Sequence, residues 1–202
     1  MDPVQDKLFG HLESGATFDE SRTCRYVLWR RWAEPYELPP FGPSVRSGVY
    51  GAGLPGQALF ILLNPSTADE REDDPTIRRC IGFARAWGHK GLTITNLYPV
   101  RSTDPKAISQ WLARADAPGE LALNRDIIGE YAHRAAIVVA AWGAFKVSAA
   151  QRGFSVERVG GALRAKLQRE GVALHVLGIT EKSRCPEHPL YLPKTRRPVP
   201  WA

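Results

Sequence analysis

The chain has 202 residues, 44% of them hydrophobic and 24% charged, which fits one globular domain with a single core. No run approaches the ~18 apolar residues of a membrane span. The acidic, polar start from Met1 to Glu20 lacks the basic and apolar stretches of a secretion signal, so a cytoplasmic protein away from membranes is expected. A net charge of +6 favours a polyanionic partner. Cys24, Cys80 and Cys185 lie far apart with no CxxC pair. Neither a disulfide framework, a metal site nor a cofactor is signalled, and buried reduced thiols are expected.

In chain order, Arg22 to Arg31 is a basic cluster interleaved with Tyr26, Trp29 and Trp32, a mixture able to hold phosphates and stack bases. Residues 34–57 carry so many prolines and glycines that a regular helix or central strand is excluded there. Residues 1–57 thus read as an N-terminal extension with a Pro/Gly-rich loop, 58–192 as the core, and 193–202 as a basic tail of one domain. Within the core, Ala58 to Leu63 (ALFILL) is a continuously apolar strand. Pro75 to Trp87 follows as a helix, with Ile77, Cys80, Ile81 and Ala84 on one face and Gly88 at its end. Leu92 to Leu97 is a second strand. Asp104-Pro105 opens a short helix through Trp111, and Gly119 to His133 is a longer one. Ala136 to Trp142 is a third strand, Ser155 to Arg169 a helix, and Ala173 to Ile179 a fourth strand. Strands alternating with helices predict an α/β fold of three layers, helix on both faces of a mainly parallel four-stranded sheet.

Ligands of open parallel sheets bind beyond the carboxyl ends of the strands. Those ends read Asn64 to Asp69, Asn96 to Arg101, Trp142 to Lys146, and a loop ending in His188 to Tyr191. None is a serine elbow, a P-loop or a GxGxxG. The set suits an uncharged polar ring with phosphate nearby. The acidic run from Asp69 to Asp74 is a solvated loop in the plain reading, with Asp74 either a helix cap or a catalytic carboxylate.

The segments NPSTAD (64–69), DDPT (73–76), TNLYPVRSTDP (95–105), AAWG (140–143) and HPLYL (188–192) resemble a bacterial and phage family catalogued mainly as a domain of unknown function. That family is similar in turn to the uracil-DNA glycosylase superfamily, which carries GINPG or GQDPYH, a strand ending in Asn, a WG strand end and an HPSP-like loop in the same order. The resemblance implies a monofunctional, monomeric DNA N-glycosylase without cofactor. Such an enzyme flips a base from duplex or single-stranded DNA and hydrolyses its glycosidic bond, leaving an abasic site. It implies that Asn64 orients the attacking water, that Asn96 reads the base edge, and that His188 stabilises charge on a base oxygen. Thr67, Tyr98 and Trp142 would contact the base. Ser66, Arg101 and Lys146 would hold phosphates, and Tyr191, Lys194, Arg196 and Arg197 fall where the superfamily wedges the duplex.

Each residue also has a structural reading: an Asx-turn for Asn64, loop satisfaction for Asn96 and His188, core for Trp142. Two departures from the superfamily stand out. No aromatic ring follows the first motif, where Thr76 and Ile77 stand, and no iron–sulfur cysteines accompany TNLYP. A bulky modified base, as in phage DNA, is therefore expected over plain uracil, in repair or in defence. The alternatives are a hydrolase or transferase of free nucleosides or nucleotides, and a non-catalytic module that binds DNA or a modified base.

Overall fold

The computed structural model describes residues 13–32, 56–104, 106–146 and 153–201. The predicted loop lies outside them from residue 34 to 55. The described strands are β1 (Glu13–Phe18), β2 (Arg25–Arg31), β3 (Gln57–Leu62), β4 (Gly91–Asn96), β5 (Ile137–Ala140), β6 (Leu174–Val176) and β7 (Val199–Pro200). The helices are α1 (Pro75–Ala86), α2 (Lys106–Leu112), α3 (Ala117–Arg134) and α4 (Val156–Arg169), with a one-turn 3-10 helix at Pro189–Tyr191. Among the described residues no helix is long and apolar enough to cross a membrane.

All strands join one sheet in the order β1-β2-β4-β3-β5-β6-β7. The four strands legible in the sequence form its centre and pair with one another in parallel. They are the apolar runs that can be covered on both faces: Leu59, Phe60 and Ile61 have no exposed surface. The expectation of a four-stranded sheet is corrected, because both flanks of the chain add antiparallel strands. β1 and β2 form a hairpin on the β4 edge, and β7 pairs with β6. The supposed N-terminal extension and basic tail are thus sheet edges from residue 13 and up to residue 200.

Successive residues of the central strands face opposite layers. Leu62, Ile94, Val139 and Leu177 pack under α1, with Ile77, Cys80, Ile81 and Ala84. Ile61, Leu97, Ala140 and Val176 pack under α2, α3 and α4. At the switch point, β3 has β4 on one side and β5 on the other, so the chain reverses its direction of travel across the sheet there. Loops part at such a place and leave a crevice above the carboxyl ends.

Most of the basic cluster at the start is not surface, although Arg22 is exposed. Arg25, Arg30 and Arg31 are buried in β2. Arg30 donates to Asp73 Oδ1 at 2.8 Å, to Asp69 O at 2.7 Å and to Glu72 O at 3.2 Å. Arg22 forms a two-pronged pair with Glu70, both bonds 2.8 Å long. The acidic run is therefore a clasp over β2, and its carboxylates and carbonyls satisfy arginines that burial would otherwise penalise. This corrects the reading of 69–74 as a merely solvated loop.

Candidate active site

The site residues are placed by three ends of structure that meet over β3 and β4 on the α1 side. Asn64 lies just past β3. Leu63 before it packs into the α3/α4 layer, so the alternation turns Asn64 toward α1. Its amide nitrogen donates to Pro65 O and Ser102 O, each at 2.9 Å. These bonds tie the loop after β3 to the loop after β4 and fix the amide plane. Oδ1 accepts no hydrogen bond from the described residues. The Asn64 carbonyl is a held, unspent acceptor.

Asn96 ends β4 on the same face as Ile94 and is 1% exposed. Beyond it the ladder slips. Leu28 pairs with Ile94 but Cys24 with Val100, so Arg25 to Val27 lie opposite Thr95 to Pro99. The bulge re-aims Arg25, whose Nη1 donates to Ala68 O at 2.8 Å and whose Nη2 reaches Asn96 Oδ1 at 3.4 Å. Asn124 of α3 holds the strand end from below, donating to Asn96 O at 2.8 Å and Leu97 O at 3.1 Å. The sequence reading missed Arg25. Only the burial of a strand arginine singles it out.

Asp74 caps α1: its Oδ1 accepts from Ile77 N at 2.9 Å, with Pro75 in the first turn. The carboxylate is buried, and its field reaches both Arg25 and His188. His188 stands at the start of the 3-10 turn, which packs on α1. Its Cβ lies beside Gly143, where an added methyl would sit 3.2 Å away and the backbone has φ +74°. Nδ1 accepts a long bond, 3.4 Å, from Leu190 N, which leaves the ring proton on Nε2. Burial lowers the His188 pKa below the ordinary imidazole value, and Asp74 opposes that shift. A neutral imidazole donor results. Asp74 thus acts on both His188 and Arg25, and Arg25 touches Asn96 and holds Ala68 O in the loop that begins at Asn64.

Other predicted residues go elsewhere. Tyr98 is fully buried in the opposite layer, and its hydroxyl donates to Phe154 O at 2.6 Å. Trp142 packs there against Gly160 and edge-on to Trp201, ring centroids 5.6 Å apart. Both rings are used in packing and neither offers a face to a base. Ser66 is half-buried and Thr67 exposed in the loop after β3. Arg101 lies over the Phe18 ring at 4.9 Å, and Lys146 is exposed.

The residues after the 3-10 turn run along α1 as a strap. Arg79 donates to Leu192 O, Trp87 Nε1 to Arg196 O at 3.2 Å, and Arg197 to Ala86 O at 2.9 Å. Arg197 therefore neutralises the α1 carboxyl end, and Arg196 approaches Glu187 at 3.8 Å. Tyr191 is 90% exposed, and Lys194, Arg196 and Arg197 are exposed as well. Lys194 borders a cleft of about 620 Å³ with Arg78, Arg79 and Phe83. All three cysteines are buried thiols, and burial raises the pKa of Cys24 to about 11.

Among known proteins, neither a curated protein nor a solved structure matches the chain. The model of a family described as "Protein of unknown function (DUF1643)" matches residues 25–190. That span runs from the first residue of β2 to the 3-10 turn and holds every group of the site, and the chain belongs to this family.

Proposed function

We propose that the protein is a DNA glycosylase that hydrolyses the glycosidic bond of an extruded, bulky base. One observation carries the reading: Asn64 spends its amide hydrogens on Pro65 O and Ser102 O and keeps Oδ1 unengaged above the switch point. A water that must attack a cation-like C1′ needs an acceptor held in place, not a strong base, and a fixed amide carbonyl is such an acceptor. His188 supports it. A neutral Nε2–H in a buried site can stabilise charge on the departing base without first being discharged. The resemblance to uracil-DNA glycosylases adds the order of the motifs. With Tyr98 and Trp142 in the core, the reading holds no aromatic platform among the predicted contacts, which favours a base larger than uracil.

The test is abasic-site formation. Purified protein is incubated with uracil-containing DNA and with modified phage DNA, and abasic sites are scored by alkaline cleavage. Cleavage of modified DNA is expected, with loss in Asn64→Ala; no abasic sites in either DNA sinks the reading. A second reading, an enzyme of free nucleotides, draws on Arg25: a buried guanidinium suits a phosphate as well as a base oxygen. DNA affinity that falls steeply with salt favours the glycosylase, and salt-independent nucleotide turnover favours the second reading.

A further inference from the structure

Arg25 and Asn96 are each 1% exposed, and they touch through Nη2 and Oδ1. Arg25 Nε and Asn96 Nδ2 are both buried, and neither has an acceptor among the described residues. Each such donor is penalised when left unpaired, and folded interiors pair nearly all of them. Two of them flank a single contact, so they lie within one small volume and call for the same kind of partner. The charge balance agrees. Asp74 and Asp69 act on Arg25 at longer range, without a hydrogen bond to it, while Arg101 and Arg30 oppose them. Burial lowers the Arg25 pKa to about 10, which still leaves the group cationic at neutral pH.

We propose that Arg25 and Asn96 form an oxyanion subsite, so that the ligand's deepest group is an oxygen bearing negative charge. The inference rests on the reading of this site as a base pocket and adds the substrate class: a base with an anionic oxygen on the edge that meets Asn96. In the hydrolysis itself the C1′–N electron pair leaves with the base. The water oxygen bonds to C1′, and its proton ends on the departing base. Charge that spreads onto an exocyclic oxygen of the base during this step falls on the same two donors.

Asn96→Asp tests the subsite without any activity. The change removes the unpaired donor and sets a carboxylate against the buried guanidinium. A rise in melting temperature of about 3 °C or more is expected, given ~2–4 °C per kcal/mol at this chain length. A buried carboxylate that met no such need would lower the melting temperature instead, and that result overturns the proposal. Binding supplies the second arm, with thymine and uracil-5-carboxylate as probes in calorimetry. The carboxylated base should bind the wild type at least tenfold more tightly, and Arg25→Gln and Asn96→Asp should lose that preference; equal binding of the two bases by the wild type overturns the proposal too. If Arg25→Gln fails to fold, Asn96→Asp still decides. Preference for the carboxylated base without abasic-site formation leaves the subsite standing and removes the glycosylase. Abasic sites without that preference do the reverse.

Discussion

At the carboxyl ends of β3, β4 and β5, some residues face α1 and others the layer of α2, α3 and α4, and the two faces use similar residue types differently. Toward α1 stand Asn64 and Asn96, with Asp74 and His188 brought over them, and each keeps an atom or a charge that the fold does not use up. Toward α3 and α4 stand Tyr98 and Trp142, whose polar and aromatic groups are committed: the hydroxyl to Phe154 O, the indole to Gly160 and Trp201. The contrast teaches that position at a strand end does not make a residue functional. What sets the α1 side apart is that its polar groups stay unspent beside one another.

The comparison breaks first at its largest expected effects. Asn64→Ala should lower the rate of base release at least 100-fold, in line with the ~10²–10⁴ supplied by positioned proton-handling groups. Its melting temperature should move by a few degrees at most, since Asn64 only ties two loops. Trp142→Ala should do the opposite. Removing a buried indole costs about 3–5 kcal/mol, and thermal unfolding should show a fall of roughly 10 °C, with the rate per folded molecule nearly kept. If Trp142→Ala instead removes activity at full stability, the division between the faces is wrong. A third change of intermediate size is Tyr98→Phe. It leaves Phe154 O without its donor and should cost about 1 kcal/mol, read as a loss of ~3 °C, with base preference unchanged.

Much of the centre of this fold was legible because its signals are local. The runs ALFILL and LTITNL, and the apolar stretches that became β5 and β6, need cover on both faces wherever they sit. Asp74-Pro75 and Ser155 announce helix starts by chemistry that acts within three residues. The edges were illegible for the converse reason. β2 contains Arg25, Arg30 and Arg31, and a strand with that composition looks like surface until distant partners are in place: Asp73 and Asp69 O for Arg30, Glu13 for Arg31, and Ala68 O for Arg25. β7 is two residues long with a proline, and only its pairing with β6 makes it a strand. Within the site, Asn64, Asn96 and His188 could be named from motifs. Which face Tyr98 takes could not, because the bulge after Asn96 breaks the alternation from which facing is read. Arg25 enters the site through the same bulge.

The smallest effect, and the finest probe of the α1 face, is the pH dependence that His188 gives to folding. Burial holds its pKa below the unfolded value near 6.5. The unfolded chain therefore takes up the proton first as pH falls. The His188 contribution to stability is full above about pH 6.5 and declines below it until the folded-state pKa is passed. Comparing melting temperatures of the wild type and His188→Gln from pH 7.5 to 5 isolates this slope, because the other titrating groups are common to both. The difference between them should shift against the wild type only below about pH 6.5. Asp74→Asn removes the one influence that raises the His188 pKa, so it should push the lower end of that decline to still lower pH. A slope that is unchanged by Asp74→Asn would mean that the two groups do not share a site, and the α1 face would then be an accident of neighbouring loops.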